Sequence, residues 1–431
     1  MNMKEFIEKL YLTNRSFITD DYDYCLNYID ENILSLKIHK FPSGKEIWNS
    51  WVVPKKWDVN SAFIKKGNEK ILDYDEHPLH LIGYSDSFEG YVTKEDLQKH
   101  LHYHPEISDA IPWHFRMNYR PWDSEWGFCV TKDFYDSLDD EKYYVKIDTN
   151  FEDDYLKVAE HHLDGKRDET IVFIAHLDHT GMANDDLSGV VAGLEIMNRL
   201  KDKEERKYSY KLLIVQEMLG SAAYLEKHNY LADELKYGIF LEMLGNNNRM
   251  ALQKSFEGNT KLDNIAEYLL EINKEEFEVG EFREIVCNDE IVFESPGYEI
   301  PTISVTRYPY SEYHTNLDNP SIISQQNLEE SVQYVLEVIN ILENDFIPIR
   351  KFEGLPSLAN PKYDLYIDPG QKALSGSLQS SKDLNKFRDY IFRYLEGDHS
   401  VFEIAQEFNL NFKFVHDYLI EFNKKDLIEV K

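Results

Sequence analysis

The chain has 431 residues, with 47 Lys plus Arg against 79 Asp plus Glu and a formal net charge of −32. That charge argues against non-specific binding to nucleic acid or to an anionic membrane, whose phosphates it would repel. A hydrophobic fraction of 42% excludes a disordered or low-complexity chain, and three scattered cysteines (Cys25, Cys129, Cys287) exclude a disulfide framework or a cysteine zinc ribbon.

The opening MNMKEFIEKL has the charged amphipathic pattern of a helix, not of a secretory leader. No apolar run nears the ~20 residues needed to span a bilayer, so a cytoplasmic protein of two or three domains is expected. Residues 1–45 read as helical, with Phe6, Leu10, Tyr24, Leu26, Ile29, Ile33 and Leu34 near helical spacing. All six tryptophans (Trp48, Trp51, Trp57, Trp113, Trp122, Trp126) fall between 46 and 130, among prolines and short apolar runs. A small β-containing module is expected there, its tryptophans used for core packing, with a carbohydrate-stacking surface as the alternative.

From residue 168 strands and helices alternate. ETIVFIAH, YKLLIVQE, KYGIFLEML and PTISVTRYP read as strands; LSGVVAGLEIMNRL, SAAYLEKH, TKLDNIAEYLLEIN and residues 324–344 read as helices. Continuous apolar strands alternating with helices predict an α/β fold with a mostly parallel, mixed central sheet flanked by helices. Residues 353–381, rich in Gly, Pro and Ser, read as a linker. The last fifty residues give three helical segments and a short terminal strand. The middle pair, turning near Asn409, reads as helix-turn-helix and Leu427–Val430 as a wing, which together predict a winged helix. Its second helix sets Lys413, Lys424 and Lys425 against Asp417 and Glu421, among Phe412, Phe414, Tyr418 and Phe422. That is a poor footprint for phosphate, so protein contact or a homodimer is expected and nucleic acid is not.

In open α/β sheets, ligands sit beyond the carboxyl ends of the strands. Here those ends carry His176-Leu177-Asp178-His179, then Glu217, then Glu242, then Tyr313-His314, and Asp185 stands before the first helix. Four strand ends delivering His, Asp and Glu to one edge is what a zinc site requires. His176 and Asp178, two apart, share a face of an extended strand, so Asp178 can orient the imidazole. Glu217, between a strand and a helix, can act as general base toward water. Tyr308, Tyr310 and Tyr313 flank His314 and can line a pocket; Arg307 can receive a substrate carboxylate or an acidic side chain.

His176-x-Asp178, Ala183-Asn184-Asp185-Asp186-x-Ser188-Gly189, Glu217-x-x-Gly220-Ser221 and Tyr313-His314-Thr315-x-x-Asp318-Asn319, in that order, resemble the zinc aminopeptidases of the bacterial leucine aminopeptidase type. With Trp51-Val52-Val53-Pro54, Ile111-Pro112 and Trp126-Gly127-Phe128-Cys129, nearly the whole chain is similar to a subfamily of aminopeptidase-like proteins. That subfamily has an inserted small domain and a C-terminal winged helix, and is often linked to polysaccharide biosynthesis. The resemblance implies an aminopeptidase-like domain at 1–45 and 131–352, an insertion at 46–130, a linker at 353–381 and a winged helix at 382–431. It implies His176, Asp185, Glu242 and His314 as metal ligands, Asp178 as orienting partner and Glu217 as base. One departure matters: Met218 stands where the active peptidases place a second-metal carboxylate, and a thioether is a poor zinc ligand. His179 offers compensation. One zinc per chain is therefore expected, with two, or none, as the alternatives. The implied function is hydrolysis of an amide bond in a peptide or small amino-acyl or amino-sugar conjugate; the alternative is a catalytically inactive binding or regulatory module.

Overall fold

The computed structural model describes residues 2–229, 234–273, 276–367 and 381–431. Its centre is an eight-stranded mixed sheet. In chain order the strands are β1 (Lys37–Pro42), β2 (Tyr155–Leu163), β3 (Thr170–His176), β4 (Ser209–Val215), β5 (Leu235–Leu241), β6 (Arg249–Gln253), β7 (Phe277–Gly280) and β8 (Thr302–Tyr308). Across the sheet they run β1-β2-β4-β3-β5-β8-β6-β7. The four strands β4, β3, β5 and β8 are mutually parallel. β1, β2 and β6 pair antiparallel on either side of them.

Every residue of β3 and β4 is buried, which is why both read as unbroken apolar runs: helices cover both faces. Helix Gly189–Lys201 packs beneath the sheet and is nearly all buried. At Gly189 an added Cβ would collide with the Leu241 carbonyl oxygen and the Asp186 carboxylate, so only glycine lets this helix start so close to β5.

The N-terminal region holds helices Met3–Leu10 and Asp20–Asn32, but its last stretch is the edge strand β1 rather than helix. β6 and β7 were also not legible as strands; each is only four or five residues long. A second, antiparallel sheet of four strands runs Glu69–Asp73, Lys56–Lys66, Tyr143–Glu152, Phe88–Val92. It shares a core with the main sheet, in which Trp57 is buried and stacked on Tyr84.

The chain divides into two compact units. The first, residues 1–263 and 276–333, contains both sheets. The second, residues 264–275 and 334–431, includes helices Ser381–Tyr390, Val401–Glu407 and Phe412–Lys424. Ser400 and Glu403 form a reciprocal cap at the start of Val401–Glu407. Asn409 turns the chain at φ 50°, and the terminal strand Ile428–Val430 pairs antiparallel with Pro348–Arg350. Residues 368–380, most of the expected linker's second half, lie outside the described residues. Among the described residues no helix is long and apolar enough to cross a membrane.

Candidate metal centre

The parallel strands stop at one edge of the sheet, and the turns that follow carry the polar residues. Three of these turns pass through a non-glycine residue at left-handed φ: Met218 (57°), Met243 (48°) and His314 (55°). Such conformations cost on the order of 1–3 kcal/mol and persist only where the surroundings hold them. Each is held by a hydrogen bond. Met218 N–H donates to Asp289 Oδ1 (2.8 Å), Met243 N–H donates to Asp186 Oδ1 (3.0 Å), and the His314 carbonyl accepts from Trp113 N–H (2.8 Å).

Asp185 is the hub. Its Oδ1 lies 2.6 Å from His179 Nδ1 and 3.5 Å from His176 Nε2, and its Oδ2 lies 3.3 Å from His314 Nε2. The loop presenting Asp185 is fixed from afar: the Asp318 carboxylate accepts the backbone N–H groups of Ala183, Asn184 and Asp185. The Asp185–Asp186 peptide is cis. Asp178 Oδ1 lies 3.8 Å from His176 Nδ1 and accepts Glu217 N–H at 2.8 Å, so it fixes the turn that carries Glu217 and stands beside the histidine. Glu217 Oε2 is 3.5 Å from His179 Nε2 and accepts a 2.6 Å hydrogen bond from the Tyr119 hydroxyl. Glu242 ends β5, buried; Asn288 Nδ2 donates to its Oε1 (2.7 Å), while its Oε2 has no partner.

The sequence-predicted residues His176, Asp178, His179, Asp185, Glu217, Glu242 and His314 thus converge at one sheet edge. Met218 does not contribute a polar atom, and Gln216 turns away, donating to the Phe17 and Lys157 carbonyls. Arg307 also lies apart: it reaches Glu330 and Ser331 and the Asn248 and Asn327 carbonyls.

Burial and neighbours set the charges. Burial, with His179 beside it, holds His176 down to about 3, so its imidazole is neutral and its lone pair available. Burial also opposes charge on His179 and Asp185, but their mutual attraction wins, pushing His179 well up and Asp185 well down. Burial pushes Asp178 up to about 7; on Glu217, His179 and Tyr119 outweigh burial and hold it at about 2. Glu242 and Asp186 are driven well up, by burial first and then by the acids around them.

Several residues here gave no signal in the sequence. Fully buried Arg15 donates to the carbonyls of Leu177, His179 and Met182 and so clamps the His179 loop. Trp113 lies against His179 and His314, with ring centroids 4.3 and 4.9 Å away, and Phe115 lies 5.3 Å from His314. Their segment is tied to the strand-end loop by Asn316 N–H to the Ile111 carbonyl and Ile111 N–H to Asn316 Oδ1. Ile111-Pro112 marked the place, but no periodicity links 113 to 314.

The donors fit a cation. His176, His179 and Asp185 place ligand atoms within 4.8 Å of one another, all buried. Both nitrogens of His176, both oxygens of Asp185, and His314 Nε2 lack any hydrogen-bond partner. Orphaning that many buried polar atoms is costly unless a metal takes them up, and imidazole with carboxylate suits zinc and its neighbours.

A family model described as Domain of unknown function (DUF4910) matches residues 4–345. The chain belongs to this family. It is 29% identical over 413 residues to a Clostridium acetobutylicum protein named for polysaccharide biosynthesis and an aminopeptidase-like domain, covering 94% of this chain and 91% of that one. A crystal structure described as a peptidase, also from Clostridium acetobutylicum, superposes with a TM-score of 0.86 at 26% identity, covering 100% of this chain and 96% of the other. A zinc aminopeptidase from Bacillus subtilis shares the fold (TM-score 0.58, 13% identity, 79% of this chain and 94% of that one). So does an aminopeptidase from Aneurinibacillus (TM-score 0.52, 14%, 79% and 93%). The DUF4910 chain therefore has an aminopeptidase-like fold.

Proposed function

We propose that this DUF4910 protein is a metal-dependent hydrolase of aminopeptidase type, cleaving an amide bond in a peptide or a small amino-acyl or amino-sugar conjugate. The observation that carries this reading is Asp185 set among three imidazoles whose ligand atoms are otherwise unpartnered. His176, His179, Asp185 and His314 would hold one zinc, with Glu242 in the same acidic surround. The metal would supply Lewis acidity toward a substrate carbonyl and lower the pKa of a water.

The chain's own groups do the rest. Glu217 stays ionised and faces His179 across 3.5 Å, so it can take a proton from an attacking water and return it to the leaving amine. Asp178 fixes the Glu217 backbone, which keeps the carboxylate aimed. Trp113 and Phe115 keep bulk water off the imidazoles, and Tyr310 and Tyr313 wall the other side of His314. The polysaccharide-biosynthesis wording of the Clostridium relative favours an amino-sugar conjugate over a long peptide. Residues 382–431 are read as a winged helix used for protein contact, and the protein as cytoplasmic.

Glu217→Gln tests the reading. It should abolish hydrolysis of aminoacyl-anilide or aminoacyl-hexosamine substrates while the metal content per chain is unchanged. Turnover at the wild-type rate in this variant would refute Glu217 as the base.

A further inference from the structure

Two donor sets overlap at this centre, and they are not equivalent. His176, His179 and Asp185 form one; Asp178, His179 and Glu217 form the other, again with ligand atoms within 4.8 Å of one another and all buried. In the first set the nitrogens of His176 and the oxygens of Asp185 form no hydrogen bond, although Asp185 Oδ1 lies 2.6 Å from His179 Nδ1. In the second set one oxygen of each carboxylate is already engaged, while Asp178 Oδ2 has no partner. Glu217 N–H donates to Asp178 Oδ1 at 2.8 Å, and the Tyr119 hydroxyl donates to Glu217 Oε2 at 2.6 Å.

We infer that Tyr119 is a positioning residue that withholds Glu217 from metal coordination, so that the overlapping pair of donor sets binds one ion instead of two. This rests on the metal-centre reading above.

The placement supports it. Tyr119 ends the short turn Arg116–Tyr119, far in sequence from Glu217, and its ring is wedged edge-on against Phe17 with centroids 5.1 Å apart; Trp51 and Phe115 stand 6.3 and 6.2 Å away. A ring held by packing presents its hydroxyl to one place only. The hydroxyl also lies 3.5 Å from the Glu217 carbonyl, so it addresses both ends of that residue. Burial and the Glu217 charge keep the phenol protonated, hence always a donor. A carboxylate oxygen that accepts a short, charge-assisted hydrogen bond is a weaker ligand, because the donor and the cation compete for the same electron density.

The test is a metal titration, not an assay of turnover. Chelator-treated full-length protein is titrated with Zn²⁺ by calorimetry and with Co²⁺ by visible absorption. Wild type should bind one equivalent tightly. Tyr119→Phe removes one oxygen and keeps the packed ring. It should gain a second equivalent, or tighten a weak second event about ten- to a hundredfold, the worth of one hydrogen bond to a charged group. In Tyr119→Phe/Glu217→Gln the second event should vanish while the first persists.

If Tyr119→Phe binds its first ion as wild type does and shows no change in the second, the latch is refuted and the metal centre stands. A second event that survives Glu217→Gln also refutes it, since the extra ion is then elsewhere. If wild type binds no Zn²⁺ or Co²⁺, the metal-centre reading falls and takes this inference with it.

Discussion

Replacing Arg15 by methionine should loosen the candidate metal centre from a position 161 residues upstream of the first histidine. The Arg15 guanidinium is fully buried and donates six hydrogen bonds: to the carbonyls of Leu10, Tyr11, Leu177, His179 and Met182 and to the Thr13 hydroxyl. Methionine fills much of the same volume and restores none of them. Three carbonyls of the 177–182 loop are then left unsatisfied at about 1–3 kcal/mol each. Relief from burying a guanidinium offsets part of this, several kcal/mol by the general cost of a buried ion. A net loss of about 4 kcal/mol is expected. With an unfolding entropy of about 2.1 cal/mol/K per residue over the roughly 320 residues of the first unit, that corresponds to a melting point lowered by about 6 °C. Differential scanning calorimetry of chelator-treated wild type and Arg15→Met isolates the effect from metal binding. A shift smaller than about 1 °C would refute the idea that this one side chain holds the loop.

Glu160 offers a pH test away from the centre. Burial would raise it, but His39 and Tyr224, with Lys211 and Lys37 behind them, hold it at about 2. A depressed acid contributes stability above its unfolded pKa and loses it as the pH falls toward the folded value, here between about 4.5 and 2. The urea midpoint of wild type should therefore exceed that of Glu160→Gln at pH 6, and the gap should narrow by pH 3; a constant gap would contradict the assignment. Gly189→Ala forces a Cβ onto the Leu241 carbonyl and the Asp186 carboxylate, neither of which can yield without moving β5 or the Asp185 loop. A loss of about 3 kcal/mol is expected by urea unfolding, together with weakened Zn²⁺ binding, and an unchanged midpoint would show that the helix start has room to shift.

The central strands were legible because burial on both faces leaves an apolar signature that needs no knowledge of partners, as in Thr170–His176 and Ser209–Val215. The residues at their ends were legible for a related reason: strand order places consecutive carboxyl ends side by side, so His176, Glu217 and Glu242 had to meet. Edge strands escaped. Lys37–Pro42 is half polar because one side faces solvent, and it follows directly on two helices. Arg15, Trp113 and Tyr119 escaped because each acts on a segment about 60 to 200 residues away, and contacts at such separations leave no period in the sequence. Asp318 is an intermediate case: the stretch from Tyr313 to Asn319 stood out, but nothing local says that its carboxylate serves three amides at 183–185.

That last arrangement bears on how the protein is made. On a ribosome the 183–185 turn emerges well over a hundred residues before the carboxylate that closes its hydrogen bonds. Until Asp318 clears the exit tunnel, three amides and Asp185 lack the restraint that gives the hub its shape, and His314, four residues earlier, is missing as well. Capture of a metal by the proposed ligand set would thus wait until residue 318 has been made, after both sheets have emerged. A nascent chain stalled before residue 314 would display His176 and His179 without the assembled site, and would compete poorly for zinc against finished copies of itself.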